Sequence, residues 1–213
     1  MEANRVLIFA GGTIDPVFLK NISQNDIIIG ADRGALFLVE HGISPDISVG
    51  DFDSVSPEEL EKIKKSSKEL IQCDAVNKDL TDTELAFEVA IQRHATEIVM
   101  VGVLGSRLDH TLSNIQMMLR GMQHQITSVI WDTNNYVTLT GTTCEIEDRG
   151  YTYVSLLPLT PEVTGIHLEG FMYPLDNATL KMGQSLGVSN RLKGERGTIR
   201  IESGLLLIIQ SKD

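Results

Sequence analysis

The sequence predicts two folds in succession, an α/β domain with a mostly parallel sheet and then a small all-β sandwich or barrel. Near-continuous apolar runs recur through the first ~125 residues, as strands buried on both faces require. Segments of helical spacing lie between them, with recognisable start and stop signals. Beyond Ser128 the helical spacing disappears, and short β-rich runs alternate with turn formers. At 213 residues, 42% hydrophobic and 22% charged, the chain can bury a substantial core as one domain or two small ones.

Arg5–Ala10 (RVLIFA) ends at Gly11-Gly12 and reads as the first buried strand. Asp26–Gly30 (DIIIG) is the second and leads into Ala31-Asp32-Arg33-Gly34-Ala35. A short helix follows and stops at His41-Gly42, where glycine can take the left-handed conformation. Ile43-Ser44-Pro45-Asp46 then turns the chain into a third strand, Ile47-Ser48-Val49. Ser56-Pro57-Glu58-Glu59 has a capping Ser, Pro at the first helical position and Glu at the third, which predicts a helix to about Lys65. Thr81-Asp82-Thr83-Glu84 repeats that signature before Leu85, Ala86, Val89 and Ala90, which share one helical face. Glu97–Val103 (EIVMVGV) is a further strand, and Asp109–Met122 shows Leu112, Ile115 and Leu119 at helical spacing. The β-rich runs are Ser128–Trp131, Tyr136–Thr140, Tyr151–Leu157, Gly165–Leu168, Gly197–Ile201 and Gly204–Ile209. The boundary between the two folds is expected within roughly 125–145.

A formal net charge of −11 argues against nucleic acid or an anionic membrane as the main partner. Cys73 and Cys144 have no metal-ligand spacing and read as reduced thiols. The apolar run Val6–Ala10 is too short for a signal segment or a membrane span. A cytoplasmic protein is the expectation.

Gly50-Asp51-Phe52-Asp53-Ser54 is the centre of the functional reading. In extended chain, Asp51 and Asp53 would share a face with Cα atoms roughly 6.5–7 Å apart, while Phe52 anchors on the other side. Two anions on one face repel unless a cation joins them. Mg²⁺ suits such oxygen donors and recruits substrate phosphates. Ligands of open α/β sheets bind beyond the carboxyl ends of the strands. Four polar clusters fall there: Asp32-Arg33, Asp51/Asp53, Lys78–Asp82 and Gly105–Asp109. Lys78 is a cation suited to phosphate, whereas Thr81 and Asp82 also have a helix-start explanation. Arg107 adds a planar two-pronged donor to a glycine-containing loop that opens a helix. His110 reads as a helix-start hydrogen-bonding residue and Trp131 as core or interface. Together these describe a metal-assisted phosphate site, which would also let an acidic protein hold a polyanion.

The motifs resemble the thiamin pyrophosphokinase family along almost the whole chain, in order. The matching segments are Ala31-Asp32-Arg33-Gly34-Ala35, Gly42-Ile-Ser-Pro45-Asp46, Gly50-Asp51-Phe52-Asp53-Ser54, Lys78-Asp79-x-Thr81-Asp82-x-Glu84 and Gly105-Ser-Arg107-x-Asp109-His110-x-x-x-Asn114. Gly170-x-x-Tyr173-Pro174-Leu175 and Val188-Ser189-Asn190 continue the pattern. The resemblance implies transfer of pyrophosphate from ATP to the thiamin hydroxyl, giving thiamin diphosphate and AMP. It implies a Rossmann-like α/β catalytic domain over 1–130 and a β-sandwich domain for thiamin binding and dimerisation over 131–213. It further implies a homodimer whose active site is shared between subunits. By the same likeness Asp51, Asp53 and Asp82 would be catalytic and hold Mg²⁺, and Asp32, Lys78, Arg107 and Asp109 would serve ATP. Ser189 and Asn190 would serve thiamin. Arg33 departs from the resemblance, since many relatives carry a small residue or Gly there.

Two other readings compete. Asp51-Phe-Asp53-Ser54 superficially resembles the nucleophile motif of haloacid-dehalogenase-type, Mg²⁺-dependent phosphatases, although that reading leaves the second half of the chain without a task. A non-catalytic thiamin or nucleotide sensor could use the same fold, although the intact acidic and basic groups argue against it.

Overall fold

The apolar runs of the first half become strands because they lie beside runs of the same kind, and one short edge strand, Glu69–Gln72, joins them. They are β1 (Arg5–Phe9), β2 (Ile27–Ala31), β3 (Ile47–Gly50), β4 (Glu69–Gln72), β5 (Glu97–Val101) and β6 (Thr127–Trp131). In the computed structural model, which describes residues 4–73 and 80–213, these strands pair in parallel in the order β4-β3-β2-β1-β5-β6. Val6, Ile8, Ile29, Val49, Ile98, Met100 and Ile130 are fully buried. Each such side chain contributes about 1.5–3 kcal/mol on burial. The chain divides into two compact units, Met1–Asp132 and Thr133–Asp213.

The crossover helices are α1 (Arg33–Glu40), α2 (Pro57–Ser66), α3 (Asp82–Gln92) and α4 (Leu108–Gln123). α2 begins in the expected reciprocal cap. The Glu59 amide donates to Ser56 Oγ at 3.3 Å, and the Ser56 amide donates to Glu59 Oε2 at 2.7 Å. α3 forms only half of that motif. Thr81 Oγ1 accepts the Glu84 amide at 3.2 Å, but the Glu84 carboxylate is drawn to Arg120 of α4 at 2.7 Å. No helix among the described residues is long and apolar enough to cross a membrane.

The strand order reverses between β1 and β5, because β1 to β4 progress one way and β5 and β6 the other. Such a reversal opens a crevice beyond the strand ends. Backbone lines it at close range. The Gly12 amide donates to the Gly102 carbonyl at 2.9 Å, and a Cβ on Gly12 would stand 2.4 Å from that oxygen. On the other side, a Cβ on Gly34 would lie 1.9 Å from the Phe9 carbonyl oxygen, so the first turn of α1 rests directly on the end of β1.

In the second unit, the strands are β7 (Asn135–Thr140), β8 (Cys144–Glu147), β9 (Tyr153–Pro158), β10 (Glu162–Glu169), β11 (Ala178–Lys181), β12 (Arg196–Arg200) and β13 (Leu206–Ser211). They form two antiparallel layers, β7-β13-β9 and β11-β10-β12-β8. Leu156, Ile208, Ile166 and Ile199, drawn from both layers, and Phe171 from the loop after β10 meet in one apolar core.

Two expectations need correction. The sequence places Ser128–Trp131 with the β-rich half, yet as β6 it pairs in parallel with β5 and belongs to the first unit. A strand of that buried, continuous kind looks the same in either sheet when no helix follows it. The runs read from sequence also omit β4, β8 and β11. All three lie at sheet edges and are only four residues long, so they present few buried side chains.

Candidate active site

Asp32 follows β2 and occupies the position before α1, without capping that helix through its side chain. Its backbone is held at φ 50°, ψ −119°, a conformation natural to glycine and strained for aspartate. The Asp32 amide donates to the Val49 carbonyl at 2.9 Å, and the Asp32 carbonyl accepts the Ala35 amide at 3.0 Å. These bonds hold the strained residue in place. Ser54 Oγ donates to Asp32 Oδ2 at 2.5 Å. The other oxygen, Oδ1, is buried with no hydrogen-bond partner. Burial is the main reason the Asp32 carboxyl is pushed above the ordinary aspartate range. The Ser54 bond opposes that shift, and the charges of Asp82 and Asp51 add to it.

Asp51 and Asp53 converge by a different route from the one expected. β3 ends at Gly50, and Phe52 has φ 58°, so the segment is not extended. The Asp53 amide donates back to Asp51 Oδ1 at 3.1 Å, which closes a tight turn. Phe52 is 3% exposed and packs with Ala35, Leu36 and Ile63. Burying the ring holds the positive φ, and the turn brings both carboxylates toward Asp32. One oxygen from each of Asp32, Asp51 and Asp53 lies within 4.8 Å of the others. Such a set of hard oxygen donors suits a small divalent cation.

Asp82 stands beside this group rather than inside it. It opens α3, and its Oδ1 would be 3.2 Å from a Cβ placed on Gly50. Capping does not explain it, because Thr81 performs that task. The family likeness joins Asp51, Asp53 and Asp82 with Asp32 nearby; in the fold Asp32, Asp51 and Asp53 form the close group and Asp82 adjoins it, near enough for its charge to act on Asp32. Lys78 lies outside the described residues.

A cleft of about 690 Å³ opens next to Asp32 and Asp82 at the strand-order reversal. Gly11–Ile14 after β1 and Gly102–Arg107 after β5 form two of its walls, and Leu36, Phe37 and Glu40 of α1 form another. Arg107 lines it, with its guanidinium turned onto Asp109. Nη2 donates to Oδ2 at 2.6 Å and Nε to Oδ1 at 3.2 Å. Those bonds, with the His110 amide at 3.0 Å, hold the Asp109 carboxyl below its usual range. Asp109 therefore fixes Arg107 and is not itself a wall of the cleft.

Sequence reading assigned no site role to the loop after β1, to the α1 side chains or to Asn114. Gly11-Gly12 at a strand end was the available signal for the loop. Asn114 is buried and its Nδ2 donates to the Val103 carbonyl at 2.8 Å, so it holds the β5 loop in shape.

Ser189 and Asn190 belong to the second unit. Ser189 is exposed, has φ 60°, and its amide donates to Ser155 Oγ at 3.0 Å. Asn190 is buried. Its Oδ1 accepts the Tyr173 amide at 3.0 Å and the Arg191 amide at 2.8 Å, while Nδ2 donates to the Tyr173 carbonyl at 2.7 Å. The side chain thus ties the 188–191 turn to the Tyr173 segment.

Residues 18–130 match the family model described as thiamin pyrophosphokinase, catalytic domain, and residues 143–206 match thiamin pyrophosphokinase, vitamin B1 binding domain. The chain is 33% identical over 210 residues to the thiamine pyrophosphokinase of Bacillus subtilis, covering 97% of this chain and 98% of that one. The crystal structure of thiamine pyrophosphokinase from Bacillus subtilis aligns with a TM-score of 0.92 at 32% identity, covering 99% of this chain and 100% of that one. The thiamin pyrophosphokinase structure from Geobacillus thermodenitrificans aligns with a TM-score of 0.88 at 31% identity, covering 98% of each chain.

Proposed function

The chain belongs to the thiamin pyrophosphokinase family and has its activity, the transfer of pyrophosphate from ATP to thiamin, and on that premise we propose how its residues carry out the step. The supporting observation is the meeting of Asp32, Asp51 and Asp53 within 4.8 Å beside a cleft of about 690 Å³. Magnesium fits the residues present, since three carboxylate oxygens face one another and Asp32 Oδ1 is buried without a hydrogen-bond partner. When bound by Asp32, Asp51 and Asp53, the ion supplies charge neutralisation for the triphosphate.

The remaining work belongs to the chain itself. The cleft holds ATP, with Arg107 kept in place by Asp109 and the β5 loop held by Asn114. Lys78 is assigned to the phosphates on its charge and motif. The thiamin hydroxyl oxygen attacks the β-phosphorus, the bond from that phosphorus to the oxygen bridging it to the α-phosphate breaks, and AMP leaves. Asp82 is assigned to take the hydroxyl proton. It stands next to the three-carboxylate group rather than within it, and metal ligation would lower a carboxylate's basicity. In the second unit, exposed Ser189 is assigned to thiamin contact, and Asn190 to holding the turn that presents it. The cationic thiazolium ring is favoured by an acidic site.

Three finer readings accompany this one. The first unit is a Rossmann-like domain, supported by its parallel strand order. The protein acts in the cytoplasm. It works as a homodimer in which both subunits contribute to each active site, on the strength of the family likeness.

Incubation with ATP and Mg²⁺, with and without thiamin, tests the function. AMP release that depends on thiamin is expected. Phosphate release from varied monoesters, independent of thiamin, would instead support the phosphatase reading.

A further inference from the structure

We propose that Arg33 is a phosphate-binding residue of the cleft, engaging the β- and γ-phosphates of the nucleotide; this rests on the cleft being the ATP site. Asp32, Asp82 and Glu40 line the same cleft, so a polyphosphate entering it meets negative walls. Arg33 and Arg107 are its arginine lining residues, and Arg107 is already committed to Asp109 through two hydrogen bonds. The Arg33 guanidinium makes no hydrogen bond or ion pair among the described residues. Glu59 lies close enough to feel its charge, but the Glu59 carboxylate is held by the Ser56 amide at 2.7 Å.

Position supports the same assignment. Arg33 is the first residue of α1, where a cation opposes the helix dipole, so helix stability does not account for it. The next residue, Gly34, packs its backbone against the Phe9 carbonyl, which fixes where the Arg33 side chain departs. Arg33 Cβ is 3.6 Å from where a Cβ on Gly11 would be, so the side chain leaves alongside the bare glycine loop. A guanidinium there offers several planar donors suited to phosphate oxygens.

Calorimetric titration of the parent protein, Arg33→Ala and Arg33→Lys with ATP and separately with AMP, in Mg²⁺ and without thiamin, tests this. Arg33→Ala is expected to weaken ATP binding about 10- to 100-fold. AMP binding should stay unchanged, and Arg33→Lys should keep part of the ATP affinity. In steady-state assays KM for ATP should rise while KM for thiamin holds. Equal ATP affinity in parent and Arg33→Ala, or an equal loss for ATP and AMP, would overturn the assignment. Absence of thiamin-dependent AMP release by a parent protein that binds ATP would instead count against the functional reading, leaving the two failures distinguishable. If Arg33→Ala does not fold, Arg33→Gln is read in its place by the same titrations.

Discussion

The carboxylate rim of the first unit and the Ser189-Asn190 turn of the second both contain non-glycine residues at positive φ, but they treat their polar groups in opposite ways. At the rim, Asp32 is strained, its Oδ1 lacks a partner, and the neighbouring charges of Asp82 and Asp51 work against its ionisation. At the turn, Asn190 uses both ends of its amide on the backbone of Tyr173 and Arg191. The first arrangement leaves a buried carboxylate oxygen without a partner. The second is complete in itself, so its contribution is to shape. A buried polar group left unsatisfied is costly, and finding one among carboxylates points to a ligand.

The contrast predicts that changes at the rim alter activity more than stability, and that the reverse holds for the Asn190 side chain. The largest effect is expected for Asp51→Asn, a loss of about 10²–10³-fold or more in turnover. Its melting temperature should stay close to the parent's, since one like-charge neighbour of Asp32 is removed and no core contact is lost. Turnover and melting curves on the same preparation check both halves.

Asn190→Ala comes next. It leaves the Tyr173 amide and carbonyl without their side-chain partner, and a destabilisation of about 2–3 kcal/mol is expected. For a chain of this size that is a fall of about 5–10 °C in melting temperature. An unchanged melting temperature would mean that the turn is not held as described.

The smallest effects on stability concern Asp32. Asp32→Gly relieves the strained backbone and should raise stability by about 1 kcal/mol while turnover falls. Asp32→Asn separates charge from strain through pH. Because the Asp32 carboxyl is raised above its usual range in the folded state, its contribution to stability is present in acid and is lost as pH rises through that raised value. The metal-free Asn variant should therefore gain on the parent most at neutral pH, and the gap should close below the ordinary aspartate range. Melting curves from pH 3 to 8 would show this.

Most of the first unit was legible because its signals are local. The Ser56/Glu59 cap, the Gly42 stop and the apolar runs each depend on residues a few positions apart. The Asp51–Asp53 turn was not legible in its true form. The φ of Phe52 is set by packing against Ala35, Leu36 and Ile63, which come from distant segments. Extended alternation predicted the convergence of the two carboxylates by the wrong geometry. The place of Asp32 among them was hidden for a related reason, since it depends on β2 lying beside β3. Thr81-Asp82-Thr83-Glu84 matched a capping box, but Arg120, far along the chain, claims the Glu84 carboxylate. The structural task of Asn190 was not legible, because its partner Tyr173 is separated from it by β11.

Thermal melting with Mg²⁺ titrated against the parent and the Asp51→Asn/Asp53→Asn double variant tests the rim most directly. A cation held by these carboxylates should raise the parent's melting temperature in a saturable way and leave the double variant unmoved. An equal rise in both proteins, or none in the parent, would contradict it.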